Sequence, residues 1–226
     1  MISKDLTKRI ITSIPLIFLL VFSFINSFVL LISLIIVSLI SWIEFKALIS
    51  KIFIKDNYKN KFYKVVINFL ILIYLTIFSW LIFIGISQDN FKLPIFFLVC
   101  ICISSDLGGL IFGKIFKGRK LTKISPNKTI SGSVGSFVLS LILVPIFLPY
   151  FNIQFSNSYE LILLTIFTSF YSQIGDLFVS FFKRKAKVKD TGYILPGHGG
   201  LLDRIDSMLL AVPLGIVTWK FLVVIV

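Results

Sequence analysis

The sequence predicts an all-α polytopic integral membrane protein with about seven transmembrane helices and a cytoplasmic N-terminus. Of its 226 residues, 57% are hydrophobic, and the mean hydropathy is +1.00. Soluble domains contain about 45–50% apolar residues. Several apolar runs also exceed the roughly 18 residues that cross a bilayer. These runs are 10–43, 65–86, 93–113, 133–151, 160–182 and 207–226.

The first apolar run is too long for one straight span. Its 34 residues would reach about 51 Å as a helix, whereas the hydrocarbon core is about 30 Å thick. Asn26 and Ser27 offer a turn, so we divide the run into 10–25 and 28–44 and count seven segments. Both halves are short for full spans, and a re-entrant hairpin is the alternative.

Basic residues predict the orientation. Of the 23 Lys and Arg residues, 21 fall in four segments: the N-terminus, 45–64, 114–131 and 183–206. Seven spans place all four on one side of the membrane, which the positive-inside rule makes the cytoplasm. The remaining loops, 87–92 and 150–159, hold only Lys92.

The net charge of +13 also favours contact with anionic membrane lipids. Nucleic acid is not expected as a partner, because the chain has no binding motif and no room for a soluble domain. We expect N-terminal transmembrane helices at 1–90 and a catalytic membrane region at 91–226, with cytoplasmic loops 114–131 and 183–206.

Two carboxylates lie inside predicted spans. Asp106 stands eight residues before Lys114, and Asp176 stands seven before Lys183. At about 1.5 Å rise per residue, both acids lie about 10–12 Å from the basic boundary. A charged aspartate in a membrane helix costs at least about 2.5 kcal/mol, so two at one depth indicate a shared cavity.

The last predicted span adds Asp203 and Asp206, whose spacing puts them on one helix face. Four aspartates at the cytoplasmic boundary form an oxygen-only ligand set, which suits Mg²⁺ together with substrate phosphates. The alternative is that each aspartate pairs with a nearby Lys or Arg and only fixes helix packing.

Glycine-rich stretches accompany these acids. The sequence "LPGHGG" places three glycines around His198, where a backbone can approach a phosphate closely. The stretch "SPNKTISGSVGS", residues 125–136, combines Lys128 with small residues before a predicted helix start, which favours an anion. Together with the aspartates, they predict a phosphate-handling site.

The stretch "SFFKRKAKVKDTGYILPGHGGLLDRID", residues 180–206, resembles the diagnostic motif of the phosphatidate cytidylyltransferases, or CDP-diacylglycerol synthases. The dipeptide Gly175-Asp176 and the "SPNKT" of residues 125–129 also fit, and the similarity covers about residues 100–215. The sequence departs from the pattern at two places: Gly109-Leu110 stands where an Ala-Tyr pair is common, and Ser131 stands where Glu or Gln is common.

The resemblance implies transfer of CMP from CTP to phosphatidate, which yields CDP-diacylglycerol and pyrophosphate in phospholipid biosynthesis. It implies a magnesium site at Asp106, Asp176, Asp203 and Asp206, with a second cation left open. The implied catalytic residues are Asp176, Asp203, Asp206, Lys189 and His198. The implied substrate-binding residues are Ser125, Lys128, Thr129, Lys183, Arg184, Gly199, Gly200 and Arg204.

Two alternatives stay open at this point. One is a CTP-dependent transferase whose acceptor is an isoprenoid or polyprenol phosphate, because the sequence does not reveal the acceptor pocket. The other is a transporter, which would carry polar residues across the whole bilayer depth and often internal repeats. We expect the bacterial cytoplasmic membrane, an active site facing the cytoplasm and partners limited to CTP, phosphatidate and membrane lipids, with a homodimer left open.

Overall fold

A computed structural model describes residues 15, 18–19, 21–54, 57–122, 124–151, 158–194 and 199–225. From Ser27 onward, the described residues form seven α-helices, and the described chain has no strand beyond a single antiparallel bridge between Lys120 and Thr129. The helices are α1 (Ser27–Ile52), α2 (Tyr58–Ser87), α3 (Asp89–Phe116), α4 (Ile130–Leu141), α5 (Leu143–Phe151), α6 (Ser158–Lys185) and α7 (Leu202–Ile225).

Six stretches of the described chain are long and apolar enough to cross a membrane. They are α1, α2, α3, the α4–α5 pair, α6 and the part of α7 up to Val223. Many of their large apolar side chains are exposed, as expected for surfaces that face lipid. The predicted all-α polytopic class is confirmed.

The predicted break in the first apolar run is confirmed at Asn26. Its Oδ1 accepts hydrogen bonds from the backbone N–H of Phe28 at 2.9 Å and of Val29 at 3.4 Å, which caps the start of α1. The predicted end at residue 44 was wrong, because α1 continues to Ile52. Its 26 residues reach about 39 Å, enough for a full span. Half of the other predicted segment, 10–25, lies outside the described residues, and the described part, 15, 18–19 and 21–25, is helical.

The connections between helices are shorter than the loops that the sequence predicts to be cytoplasmic. The structure has connections at 53–57, 117–129 and 186–201, where the sequence predicted 45–64, 114–131 and 183–206. Basic residues that marked the predicted loops lie in final helix turns instead, such as Lys114 in α3 and Lys183 in α6. A cation is favourable there because it interacts with the helix dipole and extends its charge away from the apolar region.

Helices α4 and α5 form one span with an interruption at Ile142, which keeps right-handed helical dihedrals. Pro145 explains the interruption. It has no N–H to donate to the carbonyl of Leu141, and its ring crowds that position.

By compactness the chain divides into two units. The first unit comprises the described residues of Met1–Lys92 and Phe182–Ile205. Helices α1 and α2 pack against each other within it, and Leu48, Ile49 and Leu75 are at most 1% exposed.

The second unit comprises the described residues of Leu93–Phe181 and Asp206–Val226. Within it, α3 and α4 approach closely through small residues, as membrane helices often do. A Cβ on Gly109 would lie 2.9 Å from Oγ of Ser136, so an alanine there would displace the Ser136 hydroxyl. This explains why glycine suits position 109, where the resemblance leads one to expect alanine.

Candidate functional site

The first unit contains a nearly buried carboxylate network around Asp203, at the start of α7. Its Oδ1 accepts a hydrogen bond from Nζ of Lys183 at 2.8 Å, and the two side chains are 9% and 11% exposed. Its Oδ2 accepts from the backbone N–H of Thr191 at 2.8 Å and of Gly200 at 3.1 Å. Oδ2 also lies 3.0 Å from the Thr191 hydroxyl. Both Asp203 oxygens therefore have protein donors: Oδ1 binds Lys183 at the end of α6, and Oδ2 binds two residues of the α6–α7 loop, residues 186–201.

A second carboxylate reaches the same loop from α1. Glu44 is buried, and its Oε1 accepts from the backbone N–H of Leu201 at 3.0 Å. Its Oε2 accepts from the backbone N–H of Leu202 at 2.9 Å and from the hydroxyl of Thr191 at 2.8 Å. Glu44 thus satisfies backbone donors at the start of α7, which have no partner inside that helix.

Glycines make room for these two carboxylates. A Cβ on Gly192 would lie 2.5 Å from Oε1 of Glu44, and one on Gly200 would lie 2.5 Å from Oε2. Gly199 has a φ of +80°, in the left-handed region that favours glycine. Gly199 and Gly200 of the predicted phosphate loop therefore make room for carboxylates of the protein itself.

The second unit holds a separate group of carboxylates. Asp176, on α6, forms an ion pair with Lys128 and accepts from the hydroxyl of Ser180 at 3.3 Å. The side chains of Asp176 and Lys128 are 25% and 27% exposed, so this pair is more accessible than the pair in the first unit. Asp106, on α3, accepts from the hydroxyl of Ser207 at 2.8 Å and interacts electrostatically with Asp176.

Asp206 belongs to the second unit and is buried. Its Oδ1 accepts from the backbone N–H of Ser207 at 2.9 Å. The backbone here is approached closely by α6, because a Cβ on Gly175 would lie 2.7 Å from the Asp206 carbonyl oxygen. The Gly175-Asp176 dipeptide therefore combines a close helix contact with a carboxylate.

The position of Lys128 follows from the structure of its loop. The backbone N–H of Leu121 donates to the Lys128 carbonyl at 2.8 Å, and that of Ile130 donates to the Arg119 carbonyl at 3.0 Å. Thr129 then caps α4, since its Oγ1 accepts from the backbone N–H of Gly132 at 3.1 Å. The loop is thus fixed on both sides of Lys128.

The predicted site residues fall into two groups. The first unit contains Asp203, Lys183, Arg184, Lys189, Gly199, Gly200 and Arg204. The second unit contains Asp106, Asp176, Asp206, Ser125, Lys128 and Thr129. Lys189, Arg184 and Arg204 are exposed. His198 lies outside the described residues. The alternative considered from the sequence, pairing with lysine, is realised for Asp176 and Asp203.

The described residues contain no group of three or more His, Cys, Asp or Glu side chains arranged around one point for a metal ion. Within the second unit, Asp106 and Asp176 are near enough to interact. Two carboxylates match the one or two that Mg²⁺ usually takes from a protein when phosphates supply further oxygens.

Sequence reasoning missed three residues of these networks: Glu44, Thr191 and Ser207. A signal was present for Glu44, which directly follows an apolar stretch and is one of only two glutamates in the chain. Glu44 was not recognised as a buried carboxylate because the helix was predicted to end at residue 44, which places Glu44 at the membrane boundary. No sequence signal distinguished Thr191 or Ser207 from other hydroxyl residues.

Comparison with known proteins identifies one family and several similar bacterial proteins that share one name. A family model described as the cytidylyltransferase family matches residues 2–222. The chain is 45% identical over 141 residues to a phosphatidate cytidylyltransferase of Rickettsia typhi, covering 60% of this chain and 61% of the relative. It is 44% identical over 129 residues to that of Bacillus subtilis, covering 56% and 48%.

A third relative is the phosphatidate cytidylyltransferase of Staphylococcus haemolyticus, 39% identical over 182 residues, which covers 77% of this chain and 69% of that protein. The chain spans about three fifths of the length of the Rickettsia relative.

Proposed function

Because the chain belongs to the cytidylyltransferase family, we propose that it is a nucleotidyltransferase that transfers CMP from CTP to phosphatidate. The products are CDP-diacylglycerol and pyrophosphate. The names of the similar bacterial proteins support this substrate pair. These names favour neither a transporter nor a transferase acting on an isoprenoid phosphate.

The observation that carries the proposal is the occurrence of two lysine–aspartate pairs in the stretches that fit the family motif, Lys128 with Asp176 and Lys183 with Asp203. Such an ion pair can separate when an anionic substrate and a cation bind together. The lysine then contacts phosphate oxygens, and the carboxylate becomes free to contact the cation. Lys128 and Asp176 suit this exchange best because they are the more exposed pair.

The proposed reaction is an in-line displacement at the α-phosphorus of CTP. A phosphate oxygen of phosphatidate forms a bond to that phosphorus, and the bond to the bridging oxygen of the β-phosphate breaks. Pyrophosphate leaves with the electron pair of that bond. Such chemistry depends on the positioning of two anions and on charge neutralisation more than on a protein nucleophile.

The chain's own residues serve this reaction in three ways. Lys128, Lys183, Arg184, Lys189 and Arg204 supply positive charge for the triphosphate and the phosphatidate head group. Ser125 and Thr129 frame Lys128, and Gly199 and Gly200 shape the α6–α7 loop. His198 is proposed to contact pyrophosphate.

Magnesium is the cation proposed for this site. Asp106 and Asp176 fit it as hard oxygen ligands, and Asp206 and Asp203 are the further carboxylates of the proposed set. Both oxygens of Asp203 already have protein donors, so its share in binding would require Lys183 to move. When bound, the ion would neutralise charge on the phosphates.

The protein is a multi-pass membrane protein, and we place it in the bacterial cytoplasmic membrane with the site facing the cytoplasm. CTP is a cytoplasmic nucleotide, and phosphatidate is a membrane lipid, so the site has to lie at that boundary. The basic residues of 114–131 and 183–206 support this orientation through the positive-inside rule.

The direct test uses purified protein in detergent with CTP labelled at the α-phosphate and phosphatidate, with and without Mg²⁺. We expect label to enter the lipid phase as CDP-diacylglycerol, with one pyrophosphate released per lipid, only when Mg²⁺ is present. A parallel reaction replaces phosphatidate with a polyprenyl phosphate. Faster transfer to the polyprenyl acceptor, or no label in either lipid, would contradict the proposal.

A further inference from the structure

The chain has two glutamates, and both are buried. Their surroundings differ. Among the described residues, Glu160 has no hydrogen-bond partner at either carboxylate oxygen, whereas Glu44 accepts three hydrogen bonds from the first unit. A buried carboxylate is costly unless it is well hydrogen-bonded, so these bonds account for how the first unit tolerates Glu44.

The three donors lie on both sides of the family motif's glycine stretch. Thr191 precedes that stretch, and Leu201 and Leu202 follow it. One carboxylate therefore ties together two parts of the chain that are ten residues apart in sequence. The negative charge also lies at the first turn of α7, where it interacts favourably with the helix dipole.

The Thr191 hydroxyl extends this network to Asp203. It lies 2.8 Å from Oε2 of Glu44 and 3.0 Å from Oδ2 of Asp203, and it has one hydrogen to donate. Asp203 in turn holds Lys183. The chain Glu44–Thr191–Asp203–Lys183 thus connects α1 to two residues of the proposed site.

We propose that Glu44 is a positioning residue of the CMP transfer: its carboxylate holds the α6–α7 loop so that Asp203 and Lys183 keep their arrangement. The proposal rests on the proposed function for its catalytic part and on the hydrogen-bond network for its structural part. Through Glu44, α1 would contribute directly to the site, although the sequence identifies the N-terminal helices only as hydrophobic.

Glu44→Gln is the informative variant because glutamine has the same shape but replaces one acceptor by a donor. If its NH₂ takes the place of Oε1, it faces the N–H of Leu201. If it takes the place of Oε2, it faces the N–H of Leu202. Either orientation leaves a backbone donor without its acceptor, so the loop anchor is weakened without a change of volume.

The structural part is tested by thiol reactivity. Leu201 is 8% exposed, so a cysteine there reports opening of the loop. We would introduce Leu201→Cys in a Cys100→Ser background and measure its rate of alkylation. We expect Glu44→Gln to raise that rate at least about fivefold through local opening. Cys102 is fully buried in the second unit and should stay unreactive, which separates local opening from general unfolding.

The catalytic part is tested by steady-state kinetics. We expect kcat to fall at least about tenfold in Glu44→Gln, since small displacements of catalytic groups cost large rate factors. The KM for CTP should change less than about threefold, because exposed basic residues still bind the nucleotide. Glu160→Gln is the matched control, a buried glutamate outside the network, and should change neither kcat nor the alkylation rate.

An unchanged alkylation rate in Glu44→Gln would overturn the anchor. Faster alkylation of both Cys102 and Leu201→Cys would also overturn it, since the effect would then be on the whole fold. Normal kcat with an opened loop would overturn the positioning role. If the parent protein transferred no CMP, the proposed function would fail by itself, and the alkylation rates would still decide whether Glu44 anchors the loop.

Discussion

Nζ of Lys183 lies 2.8 Å from Oδ1 of Asp203, although the two residues are 20 positions apart in the sequence. Their side chains are 11% and 9% exposed. A second lysine–aspartate pair has the same N–O distance: Nζ of Lys92 lies 2.8 Å from Oδ1 of Asp89. Its side chains, however, are 43% and 91% exposed. Burial is the main difference, and water compensates a lost partner only at the exposed pair.

Lys183→Met should therefore destabilise the protein, whereas Lys92→Met should not. Removal of one partner from a buried pair costs about 3–5 kcal/mol because the remaining charge is uncompensated. We expect the apparent unfolding temperature of Lys183→Met to fall by at least about 5 °C, and that of Lys92→Met to stay within error. Thermal unfolding of both variants in one detergent measures this, and equal shifts would contradict a role for burial.

The helices were predictable because their signal is local. Apolar runs longer than a bilayer span identify membrane helices from composition alone, and Asn26 marked the break that its side chain does form. Helix ends were less predictable. Lys114 and Lys183 indicated loops, yet a long basic side chain can complete the last helical turn and still reach the polar boundary.

The site was only partly predictable because its contacts join distant residues. Asp106 and Asp176 could be related by their equal depth, and the structure has them close enough to interact. Glu44 and Leu202 are 158 positions apart, and no spacing rule connects them. The same applies to the Ser207 hydroxyl on Asp106, 101 positions away. Such partners become visible only when the helices are packed.

Asp176→Asn should abolish turnover and leave membrane insertion intact. The change removes the negative charge that pairs with Lys128 and that is proposed to bind the cation. The activity assay at saturating Mg²⁺ and the amount of protein in the membrane fraction measure the two effects. Ser180→Ala is the control, because it removes only a 3.3 Å hydrogen bond to the same carboxylate and should keep most activity. Near-normal turnover of Asp176→Asn would exclude Asp176 from metal binding.

Cysteines placed at Lys120 and Lys187 should be protected from a membrane-impermeant thiol reagent in intact cells. Both positions are exposed and lie in the loops predicted to face the cytoplasm, so burial would not explain their protection. Permeabilised cells should label both. A cysteine at Gln88, exposed in a loop predicted on the opposite side, should label without permeabilisation. Labelling of position 120 or 187 before lysis would contradict the topology.

Arg204→Lys should lose at least about tenfold in kcat/KM, equivalent to about 1.4 kcal/mol of transition-state stabilisation. Arg204 lies in the first turns of α7, between Asp203 and Asp206, and is exposed. Lysine keeps the charge but lacks the planar fork that binds phosphate or carboxylate through two hydrogen bonds. Lys185→Arg, at an exposed position to which the resemblance assigns no role, should change little. Equal kcat/KM for Arg204→Lys and the parent would mean that Arg204 serves only as a boundary charge.

Thr191→Val should weaken both stability and turnover, because it removes the hydroxyl that lies between two carboxylates. That hydroxyl is 2.8 Å from Oε2 of Glu44 and 3.0 Å from Oδ2 of Asp203. Without it, two negatively charged oxygens face each other across an apolar methyl group. A hydrogen bond to a charged group contributes about 1.5–3 kcal/mol, so the loss of apparent stability should fall in that range.

The two backbone donors of Asp203 remain in this variant, which is why we expect a partial and not a complete loss. Thr191→Ser keeps the hydroxyl and should restore turnover to near the parent value. Thr165→Val is the matched control: Thr165 is also buried, but its hydroxyl donates at 2.8 Å to the Leu161 carbonyl of its own helix. Unfolding temperature and kcat, measured for all three variants in one detergent, separate the hydroxyl from side-chain volume. If Thr191→Val matched Thr165→Val in both measurements, the bridge between Glu44 and Asp203 would contribute nothing specific to the site.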